Sequence, residues 1–81
     1  MTAQEAATSA IKGYYQPSLF RTLADRRQAA KDGDYEMVAI YDSRIAFMRD
    51  CIKACKMVGD TGMSPTECFA FYGVPLPKGT D

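Results

Sequence analysis

Residues 35–58, "YEMVAIYDSRIAFMRDCIKACKMV", carry two interleaved apolar series on one helical run, and no other feature restricts the fold as much. Val38, Tyr41, Ile45, Met48, Ile52 and Cys55 recur at alternating steps of three and four, the spacing of a heptad seam. Met37, Ile40, Arg44, Phe47, Cys51, Ala54 and Val58 repeat the same steps beside it, and charged residues such as Asp42, Arg49 and Lys53 lie opposite. The two series together span roughly 160° of the helical wheel, whereas a helix packed on one neighbour needs about 100°. The surplus demands a second covering partner, either the C-terminal residues folding back or another copy of the chain. Arg44 favours the copy. It sits between Ile40 and Phe47, and a guanidinium buried there unpaired would cost several kcal/mol. Three acceptors would relieve it: water reached past Met48, a carboxylate across an interface such as Asp42 of a second copy, or a ligand phosphate. The cross-interface pair is the expectation, with Ile40, Arg44, Phe47 and Met48 marking the interface.

The flanking residues supply a partner for this helix. Thr2 and Glu5 are spaced as a capping box for a first helix over about residues 3–13. Gly13 weakens that helix and Pro17 forbids its continuation, so the chain is expected to break and restart near Gln16. Leu19, Phe20, Leu23 and Ala30 then give one apolar side to a second helix of about 18–31. "KDGD" (31–34) is a tight connection, with Gly33 ending one helix and Asp34 capping the next, and so short a link makes the two helices an antiparallel hairpin. After a loop at "GDTG" (59–62), Ser64-Pro65-Thr66-Glu67 reads as the start of a short C-terminal helix, stopped by Gly73 and Pro75 before an extended tail. The expected fold is therefore all-α, one domain over residues 1–81, with a hairpin core at about 11–58.

At 81 residues the chain is small. A domain of this size buries only about 60–65% of its unfolded surface and usually needs a staple or a partner. Its three cysteines cannot all pair within one chain, and the start "MTAQEAATSAIKG" lacks the basic and apolar regions of a secretory signal. Reduced thiols, a cytoplasmic location and homo-oligomerisation are expected. No apolar run is long enough to span a bilayer. The net charge is zero but uneven: residues 1–31 carry five basic and two acidic groups, the remainder five basic and eight acidic. That split suits a local anionic ligand or charge pairing between copies better than a nucleic-acid coat.

Histidine is absent, which removes the usual general base and zinc partner, so neither an enzyme nor a metal or cofactor site is expected. Cys51 and Cys55 share a helix face at ligand spacing, with Cys68 as a third thiol, but both helical cysteines lie on the apolar side and read as packing. "MSPTECFAFYGVPLPKGT" resembles the first helix and turn of a helix-turn-helix DNA reader, without the recognition helix that should follow. "IKGYYQPS" (11–18) is more informative. It sets Tyr14 and Tyr15 at the expected helix break near Lys12 and Arg21, with Arg26 and Arg27 further along, and an aromatic plane beside cations holds a nucleobase and its phosphate. The same residues would also serve as a tyrosine pair closing the hairpin's end beside solvated cations.

"AIKGYYQPS" is similar to the Ile-Lys-Gly-Tyr-x-x-x-Ser opening of a phage domain, the anti-CBASS/Thoeris anti-defence hairpin. In that family a longer helix with a Val-Ala-Ile-Ala segment near its start follows, and "MVAIYDSRIAFM" stands at the corresponding place here. The resemblance covers about residues 11–58 and leaves 59–81 unmatched. It implies a sponge: a homo-oligomer, typically a hexamer, that sequesters cyclic dinucleotides, cyclic trinucleotides or cyclic ADP-ribose variants in the bacterial host cytoplasm without cleaving them. The family's stacking tyrosine carries onto Tyr14. Its phosphate-binding lysine falls on Ala29 in an ungapped alignment, or on Arg27 with one residue deleted, so the ligand stays open. Two other functions remain: a helical inhibitor covering a host protein's surface with its apolar band, and a DNA-binding fragment.

Overall fold

Thr2 and Glu5 close the capping box from both sides: the Thr2 hydroxyl accepts from the Glu5 N–H at 3.1 Å, and the Glu5 carboxylate accepts from the Thr2 N–H at 3.3 Å. This starts α1 (Ala3–Ala10). The computed structural model describes residues 2–76, which are all-α with no strand among them. The expected break at Gly13 and Pro17 does not occur. Instead the chain passes through one wide π-helical turn, Ile11–Tyr15, and continues as α2 (Gln16–Lys31). The backbone keeps right-handed helical angles across both junctions, and the Gln16 N–H reaches back five residues to the Ile11 carbonyl. Proline has no N–H to give and its ring crowds the carbonyl four residues back. Widening the turn by one residue relieves that crowding without ending the helix.

The hairpin forms as expected. Lys31 ends α2 through a Schellman closure, in which the Asp34 N–H donates to the Ala29 carbonyl at 2.9 Å and the Gly33 N–H to Ala30 at 3.2 Å. Gly33 supplies the left-handed angle (φ 71°) this closure requires. The Asp34 carboxylate then caps α3 (Tyr35–Thr61) by accepting from the Met37 N–H. α3 outruns its expected end at Val58: "GDT" stays helical and the stop comes at Gly62 in the left-handed conformation. Ser64 caps α4 (Pro65–Phe71) by accepting from the Glu67 N–H at 3.2 Å. Gly73 and Val74 close α4 by the same Schellman pattern. The expected extended tail is described only to Leu76; residues 77–81 lie outside the described residues.

The molecule measures 44 × 22 × 21 Å, and its core sits towards one end of that length. Cys51, Ala54, Cys55 and Val58 of α3 are buried against Ala7 of α1, Tyr15 of the π turn, and Cys68 and Phe69 of α4. Gln4 ties α1 to the far end of α3 by donating to the Gly59 carbonyl at 3.3 Å. The hairpin's other end is thinly covered: Ala29 and Ile45 are its fully buried apolar residues. Phe20, expected on the inner side of α2, is 64% exposed, and Ala30 is exposed as well, while Leu19 and Leu23 are half-buried. The covered side of α2 runs through Leu19, Thr22, Leu23, Arg26 and Ala29, and Phe20 lies about 100° round the helix from Leu19, outside it.

Candidate functional site

Tyr14 and Tyr15 leave the wide turn in different directions. Tyr15 points inward and is 4% exposed; Tyr14 points outward and is 65% exposed. Their rings meet edge to face with centroids 5.1 Å apart. Burial, reinforced by the neighbouring Cys51 and Cys55 thiols, pushes the Tyr15 phenol well above its usual range and keeps it neutral. Tyr15 was a candidate for stacking on a ligand; the structure places it in the core. Tyr14 alone of the pair offers a free aromatic face.

Lys12 and Gly13 are exposed beside Tyr14, and together with Gln4, Glu5, Thr8 and Ser9 they line a shallow groove along α1. The other two candidate cations are remote. Arg26 and Arg27 stand twelve and thirteen residues beyond Tyr14 on the same continuous helix, roughly 18–20 Å away at 1.5 Å per residue. Arg26 forms an ion pair with Asp42 across the hairpin, the one such pair among the described residues. The hydrogen bond to Asp42 raises the guanidinium's pKa above its already high value. Arg27 is exposed and makes no side-chain hydrogen bond among the described residues. A single copy therefore exposes Lys12 and Tyr14 on one turn of the helix but does not bring Arg26 or Arg27 to them.

The second apolar series of α3 divides in two. Its C-terminal half, Cys51, Ala54 and Val58, is buried in the core cluster that α4 completes, so the C-terminal residues do fold back. Its N-terminal half stays open: Ile40 and Phe47 are each 45% exposed and Arg44 between them is exposed, while Met48 of the first series is half-buried. Within one chain the Arg44 guanidinium lies 5.8 Å from the centre of the Tyr41 ring, a cation–π contact that sequence spacing did not single out. Asp42, the carboxylate expected to meet Arg44 of another copy, already serves Arg26 of its own chain. The reason is phase: Asp42 sits on the polar side of α3, facing away from the Ile40–Phe47 series.

All three cysteines are free and buried, and no cluster of metal-ligating side chains exists among the described residues. Burial first, then the neighbouring Cys51 and Cys68 thiols, pushes the Cys55 thiol from its usual 9.0 to about 11. Burial raises Cys51 too, partly offset by a hydrogen bond from Tyr15. No helix among the described residues is long and apolar enough to cross a membrane. No protein-family model matches the chain, and neither does any curated protein or solved structure.

Proposed function

We propose that this chain is a sponge for cyclic oligonucleotide signals: it self-associates, holds the ligand between copies and releases it uncleaved, thereby quenching bacterial anti-phage signalling in the host cytoplasm. The observation that carries the proposal is the division of labour between Tyr14 and Tyr15. A stacking platform must be exposed and yet held still. The buried Tyr15 anchors the wide turn from which Tyr14 projects, and Lys12 is exposed on the same turn. Aromatic face plus cation is the chemistry for a base and its phosphate.

The same geometry supports self-association. Arg27 lies too far from Tyr14 to touch the same small ligand within one chain, so a second copy is the natural source of further phosphate contacts. The open Ile40–Arg44–Phe47 face of α3 supplies apolar area for that contact. A sequence without histidine suits binding without hydrolysis. The test is a calorimetric titration of a panel of cyclic dinucleotides, cyclic trinucleotides and cyclic ADP-ribose variants against wild type and Tyr14→Ala. Stacking on one base is worth about 1–3 kcal/mol, so the variant should bind roughly tenfold to a hundredfold more weakly. Wild type binding none of them would end the proposal.

The open face of α3 also favours a second function, inhibition of a host protein by covering its surface. Light scattering separates the two, because the inhibitor requires that face free and the sponge requires it occupied by another copy.

A further inference from the structure

All three cysteines of the chain fall in one core cluster, and none is more than 3% exposed. As small apolar residues they fill the joint where α4 packs on α3. Among the described residues they are not grouped as metal ligands. Their arrangement instead offers partners for oxidation, and the geometry leaves one pair.

Cys51 and Cys55 are one turn apart on α3. Helix residues at that spacing hold their Cβ atoms about 5–6 Å apart, whereas a disulfide needs about 3.5–4.5 Å, so joining them would distort the turn. Cys51 is also engaged, since its sulfur accepts a hydrogen bond from the buried Tyr15. Cys55 has both other thiols as neighbours, and both raise its pKa. Cys68 reaches it from the other element. Only Gly62, Met63 and Ser64 separate α3 from α4, and α4 returns Cys68 to the core with no exposed surface.

We propose that Cys55 and Cys68 are a redox pair: in an oxidising medium the folding chain joins them, and the bridge locks α4 onto α3 while Cys51 stays a free thiol. Once folded, the thiols are shut away and the Cys55 pKa stands at about 11, so the exchange takes place while the chain is still open. With glutathione disulfide as the oxidant, one cysteine thiolate attacks it, forms a mixed disulfide and releases one glutathione. The other cysteine thiolate attacks the protein sulfur of that bond and releases the second glutathione. Two electrons pass from the cysteine pair to glutathione disulfide, and the two thiol protons end on the two glutathiones. In a reducing cytoplasm the pair stays open. The lock belongs to the fold and stands or falls apart from the sponge proposal.

The test uses the wild-type chain. Reduced protein unfolded in urea is diluted into glutathione buffer rich in the disulfide form, quenched with acid and alkylated with N-ethylmaleimide in urea. Tryptic cleavage after Arg49, Lys53 and Lys56 then puts the three cysteines on three peptides. Mass spectrometry should find the Cys55 and Cys68 peptides joined and Cys51 alkylated. The same mixture kept in urea should favour Cys51–Cys55 instead, because that loop is the shortest. The folded, oxidised protein should melt roughly 10 °C or more above the reduced one. Three free thiols after folding, a glutathione adduct in place of the bridge, a bridge that includes Cys51, or the Cys55–Cys68 pairing already dominant in urea overturns the inference. So does an oxidised protein that melts no higher than the reduced one.

Discussion

Tyr14 and Tyr15 are consecutive and touch edge to face at 5.1 Å, yet one is 65% exposed and the other 4%. Substitution should separate their roles cleanly. Tyr15→Ala empties a core position beside Cys51, and losing a large buried aromatic costs about 3–5 kcal/mol. At about 4–8 °C of melting temperature per kcal/mol for a domain this size, most of the cooperative transition should disappear. Tyr14→Ala should melt within a degree or two of wild type. Paired thermal melts followed by circular dichroism check both. A Tyr14→Ala protein as damaged as Tyr15→Ala would mean that Tyr14 is structural.

α4 is required by α3 rather than appended to it. Phe69 and Cys68 cover Cys51, Ala54 and Val58, so Phe69→Ala should cost about 3–5 kcal/mol despite lying in a seven-residue helix. Truncation after Gly62 should be worse. Urea denaturation of Phe69→Ala checks the first, and a midpoint close to wild type would show that α4 contributes little.

The open half of the long helix predicts concentration-dependent assembly. Phe47→Glu puts a charge where Phe47 is now 45% exposed, a site that costs little in one chain and much in a dry interface. Wild type should exceed the 8.9 kDa chain mass by light scattering, and Phe47→Glu should fall to it while keeping its helical signal. Arg44→Met should also change the assembly, because it strands whatever acceptor Arg44 meets there. Identical masses for all three proteins would leave the face without a role in assembly.

The buried thiols predict a loss of stability at alkaline pH. The folded chain holds the Cys55 proton more tightly than the unfolded chain, with a pKa of about 11 against 9.0. Stability is therefore complete below about pH 9 and is lost as pH rises towards about 11. Cys51 and Tyr15 shift in the same direction and steepen the loss. The melting temperature should be flat from about pH 7 to 8.5 and decline beyond it, less steeply in Cys55→Ala. The same burial predicts that a thiol reagent leaves Cys51, Cys55 and Cys68 untouched until the chain unfolds.

Local chemistry makes most of the fold legible in the sequence. The Thr2–Glu5 box, the Gly33–Asp34 turn and the Ser64 cap each depend on a few adjacent residues, and each forms as spelled. The break at Gly13 and Pro17 was misplaced because proline's effect depends on what its neighbours can absorb. A wide turn absorbed it, anchored by Tyr15 packing against residues some forty positions away. Phe20 was misassigned because an apolar residue next to Leu19 reads as part of its stripe, yet it lies about 100° round the helix, outside the side that α3 covers. Of the site, Lys12 and Tyr14 are both exposed on the wide turn. Arg26 was lost to Asp42, a pairing set by how α2 and α3 face each other, which spacing within either helix does not encode.

Sequestration is measured directly by retention. The protein is incubated with the cyclic nucleotide panel and passed over a membrane that retains it. The retained fraction is then heated and the released small molecules are weighed by mass spectrometry. At least one cyclic nucleotide should be held back in fixed ratio to the chain and return at its original mass. A panel that passes entirely through the membrane, or a retained ligand that emerges linear or hydrolysed, would contradict it.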